Sequence, residues 1–117
     1  MRAEAFPAGE MKHGPLALVD ADTVSVVLAP EDATRGRMLA TMEEIRARDG
    51  RILAVRTGED PEVTALADWT LSVPAAHELV LPCLLTAPLQ LFAYHMAVLA
   101  GHDVDRPRNL AKSVTVE

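Results

Sequence analysis

The amino-acid sequence predicts an α/β fold: a parallel sheet flanked by helices, with about three strands and a long helix towards the C-terminus. Three observations predict it. First, residues 23–29, 51–56 and 69–73 are apolar runs rich in β-branched side chains, each closed by a proline or bracketed by arginine. Second, the intervals between them read as helices, and strand–helix–strand–helix–strand is the order of a parallel sheet with crossover helices. Third, residues 79–100 contain no Asp, Glu, Lys or Arg.

Taken in order, Arg2-Ala3-Glu4-Ala5 is helix-prone, but Pro7 and Gly9 stop it early. Glu10, Lys12 and His13 stand at the entry to a short helix over Pro15 to Leu18, which Asp20 and Asp22 break. The run 23–29 is nearly continuous in apolar residues, the signature of a strand buried on both faces. Pro30 ends it and Asp32 is suited to capping the next helix. That helix covers 33–48, with Met38, Leu39, Met42 and Ile45 on its core face. Asp49-Gly50 predicts a stop through a left-handed glycine cap. A turn-rich loop over 57–61 and a short helix over 62–67 separate the second and third strands.

By length alone, 79–100 is a membrane-span candidate. Pro82 and Pro88 interrupt it, Gln90 and His95 lie within it, and no Lys/Arg cluster flanks it. The reading is therefore a central helix starting near Pro82, bent at Pro88, ended by Gly101 and largely buried against the sheet, with no membrane contact. A membrane-inserted peptide is the competing reading of these residues.

At 117 residues, half of them hydrophobic, the chain fits one domain. A net charge of −6 without a basic run argues against nucleic acid. One cysteine, Cys83, forms no internal disulfide, which suits a reducing cytoplasm, and no signal peptide is expected. His13, His77, His95 and His102 have no metal-ligand spacing, so no metal is expected.

Two side chains stand out chemically. Lys112 is one of two lysines among eleven basic residues. With Leu110, Ala111 and Val114 around it, partial desolvation would favour the neutral amine that Schiff-base chemistry needs, against the plain reading of a surface lysine on a loose tail. His13 lies between Lys12 and Gly14-Pro15, a turn that can present an imidazole to a cleft. Imidazole exchanges protons near neutral pH, although a surface histidine is the commoner case.

Three blocks carry a family resemblance: Gly9-Glu10-Met11-Lys12-His13-Gly14-Pro15-Leu16-Ala17-Leu18, Pro88-Leu89-Gln90-Leu91-Phe92-Ala93-Tyr94-His95, and the run from Asp103 to Glu117. In order and spacing they resemble the carboxyl terminus of the glucosamine-6-phosphate synthase family, the isomerising glutamine–fructose-6-phosphate aminotransferases. The resemblance implies that 1–117 is the C-terminal portion of a sugar isomerase (SIS) domain, truncated relative to the family's five-stranded sheet. It implies an enzyme that makes glucosamine 6-phosphate from fructose 6-phosphate and glutamine without metal or cofactor. Lys112 matches the lysine that forms an imine with the open-chain ketose. His13 matches the histidine that helps open the sugar ring, reaching the site of a neighbouring subunit. Backbone groups of Ala111 and Val114 would contact the sugar. The implied partners are fructose 6-phosphate or a related sugar phosphate, and a homodimer or the remainder of the synthase.

The chain departs from the family pattern in lacking an N-terminal cysteine nucleophile and a Ser/Thr-rich phosphate loop, and the family's Glu base would fall upstream of Met1. The expectation is a segment that is incomplete and inactive alone. The alternative is a non-catalytic sugar-phosphate-binding or dimerisation module.

Overall fold

The structure, a computed structural model, describes residues 3–106. The described residues divide into two units, with the division after Leu85. The sheet lies in the first. Strands β1 (Val24–Ala29), β2 (Arg51–Thr57) and β3 (Trp69–Val73) form a parallel three-stranded sheet in the order β1-β2-β3. Helix α1 (Arg35–Arg46) connects β1 to β2, and α2 (Pro61–Leu66) connects β2 to β3. The predicted α/β alternation is therefore the observed one, with boundaries within two residues of those expected.

Register explains where the core sits. Val24 pairs with Arg51, Val26 with Leu53, Val27 with Ala54 and Ala29 with Arg56. In-register residues of parallel strands share a face, so Val27, Ala29, Ile52 and Ala54 lie together. With Met42 and Ile45 of α1, Val63 of α2 and Leu16 they make the buried cluster. Met38 and Leu39 pack at its margin, partly buried. Asp68 ties the helices to the sheet: its carboxylate accepts the Ile52 N–H at 2.7 Å and takes Arg46 Nη1 at 3.1 and 3.2 Å. The Ile52 bond, then the Arg46 charge, holds the Asp68 carboxyl below its ordinary value.

Four expectations are corrected. β1 is not buried on both faces. On the face away from α1, Val55 and Val73 are buried, but Val24, Val26, Trp69 and Leu71 are 38–48% exposed. A strand apolar on both sides is suited to two covering layers, and among the described residues the helices α1 and α2 pack against one face. Arg51 partly shields that surface, with its guanidinium carbon 4.7 Å from the Trp69 ring centroid.

The close of α1 also differs. The left-handed residue is Asp49, at φ 61, and Gly50 is not among the positive-φ glycines. Asp32 acts before α1 rather than at it. Its Oδ1 accepts the Thr34 N–H at 2.7 Å and the Thr34 hydroxyl at 2.6 Å, forming a turn that leads into the helix.

Helix α3 (Leu81–Leu99) starts beside Pro82 and continues through Pro88. It is not largely buried. Among its described residues only Leu81 and Leu85 are buried, while Leu91, Tyr94, Val98 and Leu99 are exposed. An uncharged composition permits burial but supplies no partner, and among the described residues 86–106 there is no second strand or helix to cover it. By length and composition α3 could cross a membrane.

Candidate functional site

The segment that carries His13 consists of two 3-10 helices, Ala8–His13 and Pro15–Leu18, joined at Gly14. Pro7 precedes the first and Pro15 opens the second, where a fixed φ and a missing N–H are both tolerated. Between them Gly14 has φ 148 and ψ −58, and a Cβ there would meet nothing within 4 Å. Glycine is required at that point by backbone conformation and not by space.

The segment has an inner and an outer side. Met11 and Leu16 face the core, with Leu16 buried. Glu10, Lys12 and His13 are exposed. Among the described residues the His13 imidazole has no hydrogen-bond or ion-pair partner. An exposed imidazole at the tip of a sharp turn is free to exchange a proton with a ligand brought to it. Lys112, Ala111 and Val114 lie outside the described residues.

The carboxyl edge of the sheet is the other place to look, because open parallel sheets bind ligands there. Its polar groups are turned towards one another. The Glu31 N–H donates to Thr57 Oγ1 at 2.8 Å. Arg35 Nε and Nη2 fork onto the two oxygens of buried Asp60 at 2.7 and 2.8 Å, and Nη2 also reaches Glu62 at 2.6 Å. Asp60 in turn accepts the Glu62 and Val63 N–H groups, each at 3.2 Å, which caps α2. The Arg35 fork first, then these backbone bonds, hold the Asp60 carboxyl at about 2, and the Asp60 and then the Glu62 carboxylate raise Arg35. Arg56 is buried. It donates to the Gly58 carbonyl and, at 3.1 Å, to Glu59, and its Nε has no partner among the described residues.

This cluster joins α1, α2 and β2. No group of three or more His, Cys, Asp or Glu that could hold a metal occurs among the described residues. A shallow groove of about 300 Å³ lies between α1 and α2, lined by Leu39, Glu43, Glu62, Ala65 and Leu66; His13 is not among its lining residues.

Sequence reasoning named His13 as a candidate and missed the Asp60 cap, although Asp60-Pro61-Glu62 is a recognisable helix start: a capping side chain, proline at the first position, then an acid. The ion pair to Arg35, which lies 25 residues away, had no sequence signal.

Comparison with known proteins adds what the geometry lacks. The SIS domain family model matches residues 1–100. The glutamine–fructose-6-phosphate aminotransferase (isomerizing) of Chlorobaculum tepidum is 50% identical over 117 residues, covering 100% of this chain and 19% of the relative. That of a Thermus thermophilus strain is 51% identical and that of Escherichia coli is 45% identical, with the same coverage. The chain thus spans 19% of the length of these curated relatives. A solved structure, the C-terminal domain of glucosamine-fructose-6-phosphate aminotransferase from Francisella tularensis, superposes with a TM-score of 0.78 at 36% identity, covering 88% of this chain and 29% of that one.

Proposed function

The chain belongs to the SIS domain family, and from that membership we propose that it is the C-terminal portion of the isomerase region of a glutamine–fructose-6-phosphate aminotransferase. The observation that carries this reading is identity near 50% across the whole chain to relatives bearing that name, joined to an exposed His13 on a turn fixed by Gly14 and Pro15.

In this reading the substrate is fructose 6-phosphate. His13 takes the proton of the anomeric hydroxyl while a proton is returned to the ring oxygen. The ring C–O bond then breaks and the open-chain ketone is released. The Lys112 amine adds to that ketone at C2 and water leaves. Ammonia released from glutamine by the remainder of the synthase then adds at C2 and displaces the Lys112 amine. The resulting imine withdraws electrons from the C1–H bond, so a proton moves from C1 to C2 and the C1 hydroxyl becomes the aldehyde. Backbone groups of Ala111 and Val114 hold the sugar. Phosphate binding and the C1–C2 base come from the remainder of the synthase, which is the proposed partner. A homodimer supplies His13 to the neighbouring site, and the compartment is the cytoplasm.

Exchange of solvent deuterium into fructose 6-phosphate, measured with the upstream isomerase region supplied, tests the reading. His13→Gln should slow exchange by about 10²-fold or more. It should not slow exchange into the analogue lacking the 5-hydroxyl, which cannot close the ring. Equal losses on both substrates, or none on either, would contradict the ring-opening role.

A further inference from the structure

The segment bearing His13 makes none of its anchoring contacts through His13 itself. At its start the Ala8 carbonyl lies 3.4 Å from Thr41 Oγ1. Thr41 is buried on α1, and its hydroxyl also reaches the Arg37 carbonyl at 3.1 Å. At its far end Val19, the residue after Pro15–Leu18, packs against the core beside Gly50. A Cβ built on Gly50 would stand 2.4 Å from Val19 Cγ1, 2.8 Å from Ile45 Cγ2 and 3.1 Å from the Ile45 carbonyl. Gly50 has no positive φ, so it is glycine for space rather than for conformation.

The geometry points to Gly50 and Thr41 as positioning residues for His13, the two points at which α1 and its closing turn set where the imidazole is presented. This inference rests on the ring-opening role proposed above. Its direction follows from burial. Val19 and Ile45 are β-branched and stiff, so neither can rotate away from an added methyl group. Ile45 is 1% exposed in the buried cluster, whereas Val19 is only partly buried, so Val19 is the side that yields. Displacing Val19 displaces Pro15–Leu18, and that helix follows Gly14 and His13 directly. A side chain that exchanges a proton with a ring oxygen must lie within hydrogen-bond reach, and a misplacement near 1 Å is enough to lower turnover severely.

The test begins with the 117-residue chain labelled at histidine Cε1 and observed by NMR. Loss of one signal in His13→Gln identifies His13. Gly50→Ala is expected to move that signal more than those of His77, His95 and His102. Adding Val19→Ala, which removes the nearest obstructing atom, is expected to return it towards its original position. A His13 signal that Gly50→Ala leaves in place, or that Val19→Ala fails to return, overturns the proposal. Should Gly50→Ala not fold, Thr41→Val and Thr41→Ser carry the test. The valine variant, without a hydroxyl, moves the signal, the serine variant does not, and identical behaviour overturns the proposal. With the upstream isomerase region supplied, Gly50→Ala should lower turnover of fructose 6-phosphate about tenfold or more with KM little changed. If His13→Gln abolishes turnover and Gly50→Ala leaves it intact, the positioning inference is wrong. If His13→Gln leaves turnover intact, the ring-opening role fails, and the NMR result still reports on the anchoring.

Discussion

Asp60→Ala should unfold this chain at a measurably lower urea concentration, and the reason is one backbone amide. Asp60 caps α2 through the N–H groups of Glu62 and Val63, both at 3.2 Å. The Glu62 N–H is at an exposed residue and water can replace the lost acceptor. Val63 is 0% exposed, so its N–H would remain buried and unpaired. Loss of a capping side chain costs about 1 kcal/mol and an orphaned buried amide about 1–3 kcal/mol. As the two overlap, about 2 kcal/mol is expected, or a fall of roughly 8 °C in Tm for a domain near this size. Asp60→Asn retains the capping oxygen and loses the charge and the second oxygen, which accepts from Arg35 Nε, so it should lose less than Ala. Urea unfolding followed by circular dichroism measures both variants. Equal losses for Ala and Asn, or less than about 0.5 kcal/mol for Ala, would refute the argument.

The same residue fixes a pH dependence. The folded carboxyl lies at about 2, below its ordinary 3.8. Folding therefore favours the ionised form. The contribution is complete above about pH 4 and is lost as pH falls towards 2. Asp60→Asn should flatten stability across that window and leave it unchanged near neutral pH relative to its own plateau. Arg56→Met should be neutral or stabilising, within about 1 kcal/mol of the parent in urea unfolding, because Arg56 Nε is buried without a partner among the described residues and Glu59 and Gly58 can turn to water. A loss above about 2 kcal/mol would show that the buried guanidinium is needed. The exposed apolar surface around Val26, Trp69 and Leu71 should drive association of the isolated chain in light scattering, and Val26→Lys with Leu71→Glu should reduce it. A monodisperse monomer at high concentration would contradict this.

The strands were legible because β-branched runs bounded by proline and arginine have few other uses. What covers them was not. Val24 and Val26 are as apolar as Val27 and Ala29, and only the paired register and the placement of α1 separate an exposed face from a buried one. The uncharged span 79–100 misleads in the same way, because composition does not report whether a partner surrounds a helix. Asp49-Gly50 suggests a glycine cap, yet Asp49 takes the left-handed turn and Gly50 makes room for Val19, a residue far earlier in the chain whose approach is tertiary. His13 is a candidate through the Lys12-His13-Gly14-Pro15 resemblance, and the structure adds that it is exposed and without a partner among the described residues. The proposed roles of Lys112, Ala111 and Val114 rest on the resemblance, since these residues lie outside the described ones.

The most direct test of the proposed function is therefore made on Lys112. The chain, supplied with the upstream isomerase region, is incubated with fructose 6-phosphate, reduced with borohydride and mapped by peptide mass spectrometry. One sugar phosphate is expected on Lys112, and no adduct in Lys112→Arg, because arginine keeps the charge but does not deprotonate to attack a carbonyl. An adduct on Lys12, or none on the assembled region, would contradict the imine-forming role.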